Sequence, residues 1–247
     1  MREVITRIVK LIVRPIRYTK VMEFIEEQFE VESYDKVTSR HFEYPFGVAE
    51  TVKLARKNKN AKILDCGSFG SFYGPILARL GLDVTGVDIV NWSVKIPGLK
   101  SITADLKSLP FKDNTYDICA VISTIEHCGL PRFGENVDVD GDYKAFDEIY
   151  RVTKKRGFIV FTAPFAGEYY IHSNKHRIYD IKRFNKMTRK TTLIKKEFYA
   201  AIKDPRVFEP VTFSEVKKII PSLKGEHGII CAILQKSFLK YFLTSKV

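Results

Sequence analysis

Lys62-Ile63-Leu64-Asp65-Cys66-Gly67-Ser68-Phe69-Gly70 decides the fold. A short apolar run, Lys62 to Cys66, passes directly into a glycine-bearing loop, and a helical segment from Pro75 to Leu80 follows. Gly81 closes that helix in the position where a residue without a Cβ is favoured. Asp83 to Val87 then reads as a second strand that ends on Asp88. Further on, Lys100 to Thr103 gives a third strand ending near Asp105. Tyr116 to Ser123 gives a fully buried fourth, Tyr143 to Val152 a helix, and Phe158 to Thr162 a fifth strand stopping at Pro164. Strand and helix in alternation indicate a parallel, doubly wound sheet. The tail breaks the alternation. Thr191 to Ile202 and Gly228 to Gln235 read as strands around a short helix, Phe213 to Ile220, and predict an antiparallel pair closing one edge.

Upstream of this frame the pattern is helical. Ile5, Ile8, Val9, Ile12 and Ile16 recur at helical spacing, with Arg7, Lys10, Arg14 and Arg17 opposite and Pro15 interrupting. A second helix is expected over Lys20 to Glu30, and a third that starts after Pro45 and runs to about Lys57. The fold expected is therefore α/β, with a Rossmann-like seven-stranded, mostly parallel sheet, an antiparallel last strand, helices on both faces and extra N-terminal helices. Residues 1–40 form a helical extension and 41–247 the main domain.

The 247 residues include 41 Lys plus Arg against 29 Asp plus Glu, a net charge of +12. That balance suits polyanionic surroundings and equally suits a lysine-rich soluble protein. The four cysteines are scattered and lack metal-ligand spacing, so neither zinc nor a disulfide framework is expected. No apolar run reaches the length of a membrane span, and no signal peptide is read. A cytoplasmic protein is expected. Its basic segment, residues 2–17, is a candidate for peripheral contact with the inner membrane face, or for packing within the protein.

In doubly wound sheets ligands lie at the carboxyl ends of the strands. Three acids fall there: Asp65, Asp88 and Asp105. Asp88 lies 23 residues after Asp65, a spacing that lets it accept both ribose hydroxyls. Asp105 is placed to accept from an adenine amino group. The glycines let a ligand approach the backbone.

With these residues in place, a resemblance follows. Residues 62–89 (KILDCGSFGSFYGPILARLGLDVTGVDI) resemble the first two motifs of class I S-adenosylmethionine-dependent methyltransferases. Residues 104–127 (ADLKSLPFKDNTYDICAVISTIEH) resemble the next ones, and RVTKKRGFIVFTAP resembles their usual turn and fifth strand. The resemblance spans about residues 40 to 235. It implies S-adenosyl-L-methionine as cofactor, with Asp65, Gly67, Ser68, Phe69 and Gly70 along the first loop. Asp88 and Ile89 would hold the ribose, Asp105 and Leu106 the adenine, and Ser123 would face the sulfonium. Phe69 and Ser71 stand where the family carries glycine, so a blocked pocket is the rival expectation. A dehydrogenase is disfavoured because G-x-G-x-x-G is missing and Asp65 ends the first strand.

A hydroxyl acceptor needs a general base. Glu126, His127 and His176 are the catalytic candidates. Tyr44, His172, Arg177 and Tyr179 are candidates for holding the acceptor, the last three on the loop HSNKHRIYD. Phe42 or Tyr44 could cover the sulfonium by cation–π attraction. The segment IEHCGLPRFGENVDVDGDYKAFDEI resembles methyltransferases of polysaccharide and glycan synthesis, which implies O-methylation of a sugar, glycan or small-molecule hydroxyl. Asp138, Asp140 and Asp142 lack the calcium-loop pattern, and no metal is expected. Two rival readings stand beside this one: an RNA methyltransferase, which the charge favours but the lack of any added RNA-binding module does not, and a non-catalytic binding protein.

Overall fold

The computed structural model describes residues 37–91, 95–131, 137–220 and 226–237. The expected helices before residue 37, including the basic segment 2–17, lie outside the described residues. Among the described residues no helix is long and apolar enough to cross a membrane.

The sheet has strands β1 (Lys62–Cys66), β2 (Asp83–Asp88), β3 (Leu99–Thr103), β4 (Tyr116–Ile122) and β5 (Thr153–Phe165). It is completed by β8 (Thr191–Ala200), β9 (Glu209–Val211) and β10 (Gly228–Lys236), in the order β3-β2-β1-β4-β5-β10-β8-β9. β1 to β5 run parallel to one another, and β10 lies antiparallel between β5 and β8. The expected antiparallel closure is therefore present. The strand count is eight rather than seven, because the three-residue β9 pairs along β8. Pro210 sits in that outermost strand, where its missing N–H is harmless.

Strand periodicity builds the core on both faces. Ile63, Ile118, Ala120, Ile122, Ile229, Cys231 and Ile233 point one way, against Phe46, Tyr73 and Leu77. Leu64, Cys66, Cys119, Val121, Ile230, Ala232 and Leu234 point the other, against Phe146, Ile149, Val152, Phe184 and Met187. The first face is covered by α1 (Arg40–Ala55) and α2 (Tyr73–Arg79). The second is covered by α3 (Gly141–Val152), α4 (Ile181–Thr188) and the short α5 (Phe213–Val216). Three of the four cysteines are buried core residues and Cys128 is partly buried; all four are free thiols. Burial pushes the Cys119 thiol up to about 12 and moves Cys66, Cys128 and Cys231 in the same direction.

Two local readings are corrected. The helix expected to begin after Pro45 begins at Arg40, and Pro45 lies inside it with an exposed ring. One helical hydrogen bond is lost there. The first turn is held instead by Glu43, which is fully buried and accepts from Thr162 Oγ1 at 2.8 Å and from Ser123 Oγ. The stretch expected as a loop after the fifth strand is a hairpin, β6 (Tyr170–His172) against β7 (His176–Ile178). Its turn carries Ser173 and Asn174 at φ 50° and 55°, the left-handed pair that a tight hairpin turn requires. Chain pairing with the domain already starts at Val37, which bridges to Val207.

Candidate active site

The carboxyl ends of β1, β2, β3 and β4 open onto a cavity of about 290 Å³. Its first wall is the loop after β1. Gly67 has φ +88°, and a Cβ there would lie 2.2 Å from the Thr124 side chain. Only glycine lets this loop close on the segment after β4. Gly67 N–H and Ser68 N–H both donate to Val87 carbonyl oxygen, at 2.8 and 3.2 Å. Phe69 N–H donates to Asp88 Oδ2 at 3.0 Å. The loop amides thus face β2 rather than converging on an anion, so this is no phosphate cradle of the dinucleotide kind.

Asp88 lines the cavity, with Oδ1 also accepting from Val90 N–H at 3.0 Å. Each of its oxygens keeps a second lone pair for a ligand hydroxyl. Asp105 lines the opposite part and is set by Lys107, whose N–H and Nζ both reach it at 2.8 Å. Burial acts to lower the Lys107 ammonium, but Asp105 outweighs it and the group is raised. Gly67, Phe69, Gly70, Ile89, Leu106 and Ser123 line the same space, as expected. Phe69 does not fill it: the residue is 47% exposed at the rim.

Asp65 and Ser68 stand apart from the cavity walls; both are buried beneath the loop. Asp65 Oδ2 accepts from Gly74 N–H at 3.1 Å at the start of α2. Burial pushes its carboxyl up to about 7, the Gly74 bond acting against this and Asp88 with it. Asp65 thus ties the end of β1 to the start of α2 and is not among the residues that line the cavity. Ser123, at φ +43°, lines the cavity while its hydroxyl donates to Glu43.

The residues expected at an acceptor lie on the 3₁₀ turn Ile125–His127 and the β6–β7 hairpin. His127 lines the cavity. Its Nδ1 lies 2.7 Å from Lys175 carbonyl oxygen, which can only accept, so Nδ1 carries a hydrogen and Nε2 is the basic nitrogen. Nε2 is 3.7 Å from Glu126 Oε1, and Glu126 is buried behind it. His176 stands beside His127 and His172, with ring centroids 6.0 and 5.0 Å away. Tyr44 lines the cavity, whereas Phe42 stacks on Tyr199 at 4.4 Å, outside it.

Arg177 and Tyr179 are brought inside the protein instead of to the cavity. Both are fully buried. Arg177 Nη1 donates to the Glu126 and Cys128 carbonyls at 3.3 and 2.7 Å. Its Nη2 donates to those of Asp138 and Val139 at 3.2 and 3.3 Å. Asp142 neutralises it at 3.7 Å, pairs with Arg183 at 2.7 Å and accepts from Tyr179 Oη at 3.1 Å. Asp142 is thus spent on a buried ion pair. Among the described residues no three His, Cys, Asp or Glu side chains gather as a metal site.

Residues that sequence reasoning did not select also shape the cavity. Arg40 lines it, 3.5 Å from Glu43 Oε2, with its guanidinium 5.6 Å from the Tyr44 ring centroid. Burial works against its charge, but Glu43, Tyr44 and Glu126 outweigh that. Lys107 and Thr124 line the cavity as well.

This architecture is the class I methyltransferase fold, and residues 64–161 match the methyltransferase domain family. The chain is 31% identical over 113 residues to an uncharacterized protein of Methanocaldococcus jannaschii. That match covers 43% of this chain and 44% of the relative, so it spans less than half of that curated protein. Among solved structures, the MccD protein superposes with a TM-score of 0.55 at 16% identity, over 78% of this chain and 96% of its own. The 1,6-didemethyltoxoflavin-N1-methyltransferase of Burkholderia thailandensis, solved with 1,6-didemethyltoxoflavin and S-adenosylhomocysteine, gives 0.53 at 12% identity, over 89% and 90%. The [4+2]-cyclase SpnF gives 0.51 at 16%, over 76% and 80%. A cyclase among them means that the fold alone does not fix the reaction.

Proposed function

We propose that the chain is an S-adenosylmethionine-dependent methyltransferase acting on a hydroxyl of a sugar, glycan or other small acceptor. One observation carries the donor reading. Asp88 and Asp105 face a single cavity from the ends of β2 and β3, while the loop amides that a pyrophosphate would need are bonded to β2. That donor set suits a nucleoside without phosphates. Asp88 would hold the ribose hydroxyls, Asp105 and Leu106 the adenine, and Gly67 with Arg40 the methionine end. Phe69 at the rim leaves the space open, which favours an enzyme over a non-catalytic relative.

When bound, S-adenosylmethionine supplies a methyl group on a sulfonium that an oxygen nucleophile can displace. The protein's share is to align the acceptor and to take its proton. His127 Nε2 is the base, held by the Lys175 carbonyl in the tautomer that leaves it a lone pair. Glu126, 3.7 Å away, favours the imidazolium once the proton arrives. His176 packs against the His127 ring from the acceptor side. The glycan class of acceptor rests on the resemblance of residues 125–149.

Two measurements test this. Calorimetry with S-adenosylhomocysteine should give one-site binding that Asp88→Ala weakens about 10- to 150-fold, the value of hydrogen bonds to a charged group. Labelled S-adenosylmethionine incubated with separate RNA, lipid-glycan and small-molecule pools should mark a non-RNA pool. Absence of binding overturns the donor reading, and label in RNA overturns the acceptor.

A further inference from the structure

The end of the sheet opposite the cavity is strongly basic. β1 to β5 and β8 all start at that end, and β10 finishes there. Arg56, Lys57, Lys59 and Lys62 stand exposed between α1 and β1, Arg79 at the end of α2, and Arg156 in the first residues of β5. None of these six side chains makes an ion pair among the described residues. The acids of the same end are engaged elsewhere. Asp83 pairs with Lys100 at 3.6 Å, and Asp113, Asp117 and Asp147 pair with Arg151, Lys154 and Lys190, each at 2.8 Å.

The bases are presented by fixed backbone. Asp117 accepts from Asn58 Nδ2 at 3.2 Å, from Lys62 N–H at 2.9 Å and from Lys154 Nζ at 2.8 Å, so it ties the α1–β1 loop to the start of β5. Burial acts to raise its carboxyl, but Lys154, the Lys62 amide and Asn58 outweigh that and hold it below the ordinary value. Asn58 Oδ1 in turn accepts from Asn60 N–H at 3.1 Å. In β5, residues 154–157 bulge opposite the single residue Asp117, between the pairs Tyr116–Thr153 and Ile118–Phe158. Arg156 sits in that bulge at φ +62°, a conformation that glycine adopts without strain and arginine does not.

We infer that this end of the molecule is a docking face for an anionic lipid bilayer, which leaves the cavity mouth turned away from the membrane. The charge suits lipid phosphates. Aliphatic side chains lie among the bases: Leu80, next to Arg79, is 58% exposed, and Leu193 and Ile194 near the start of β8 are 42% and 53% exposed. A headgroup layer meets both needs, with phosphate at its surface and apolar depth beneath. Single-stranded nucleic acid would use aromatic platforms for its bases. Among the described residues Phe69 is the one exposed Phe, Tyr or Trp, and it lies at the cavity rim, the far end of the sheet. β4 spans seven residues, so the cavity stands about 20 Å above the bound lipid. The inference is independent of the donor reading and of the basic segment 2–17.

Co-sedimentation of the full-length protein with vesicles tests it, using phosphatidylcholine alone and phosphatidylcholine mixed with phosphatidylglycerol. The protein should pellet with the mixed vesicles only. It should be released as salt rises from about 0.1 to 1 M, where the screening length falls from about 10 to 3 Å. Each base near an anionic surface is worth roughly a factor of five in binding. The triple variant Lys57→Gln, Lys59→Gln, Lys62→Gln should therefore lose about a hundredfold. Arg156→Gly separates charge from folding: it should lose about fivefold without a fall in Tm, because glycine suits that backbone. Leu80→Trp should gain a blue-shifted emission on mixed vesicles, read as the difference from the parent with its single tryptophan. Ile202→Trp, exposed just past the opposite end of β8, should not. Unchanged pelleting of the triple variant, no pelleting of the parent, or a shift at Ile202 in place of Leu80 overturns the face. An RNA duplex bound more tightly than mixed vesicles at equal salt, and lost in the triple variant, overturns the bilayer in favour of nucleic acid.

Discussion

Asp65 ends β1 with its carboxyl beneath the loop, bonded to Gly74 N–H, and burial pushes it up to about 7. The unfolded chain releases that proton near the ordinary aspartate value of about 3.9. Between those values the folded protein binds more protons than the unfolded one, so this group's contribution to stability falls as pH rises from about 4 to 7 and is level above. The whole shift corresponds to roughly 4 kcal/mol. Asp65→Asn should therefore gain stability over the parent at pH 8, with the gap closing toward pH 4. Urea unfolding of both proteins at several pH values checks it, and a constant gap would refute it. The same residue shows what a motif can and cannot reveal. An acid at the end of the first strand is legible, and so are Asp88 and Asp105. Whether the carboxyl faces ligand or caps the next helix is decided by Gly74, nine positions on, which places an N–H where any Cβ would clash at 2.6 Å.

The strands were readable because their alternation feeds two cores at once, leaving long apolar runs in β4 and β10. The start of α1 was not, because Pro45 signals a beginning while the true anchor, Glu43, bonds to Thr162 119 positions away. Nor was the β6–β7 hairpin, whose three-residue strands are too short for periodicity to register. Arg177, which looks like a ligand-binding cation in a polar stretch, is the strut between that hairpin and the loop carrying Glu126 and Cys128. Charged residues are rarely fully buried, so nothing in the local pattern marks Arg177 as a strut. Arg177→Met should cost about 3 kcal/mol, the low end for breaking a buried pair, because Arg183 continues to neutralise Asp142. Chemical denaturation measures this. On the proposed function, the variant should also lose turnover well beyond donor affinity, since the strut holds the turn that carries His127 and not the Asp88 side.

Over the whole molecule, the donor cavity is bounded by four parallel strand ends, and α1 is tied across them by Glu43 to Ser123 and Thr162. A ligand there contacts the ends of β1 through β4 together, so its binding energy adds to global stability. At one hundred times its dissociation constant, S-adenosylhomocysteine should contribute about 2.7 kcal/mol, raising Tm by roughly 5–11 °C for a chain of this size. Differential scanning calorimetry reads this directly, and an unshifted transition would contradict the donor site. The thiols described with the core carry a different consequence. With Cys119 at about 12 and the other three raised as well, none presents a thiolate at neutral pH while the chain stays folded. The native protein should shrug off alkylating reagents and mild oxidants. Each cysteine then becomes a clock that starts only when its own layer of the sheet opens, with Cys128, on the cavity wall, the one a bound donor would slow first.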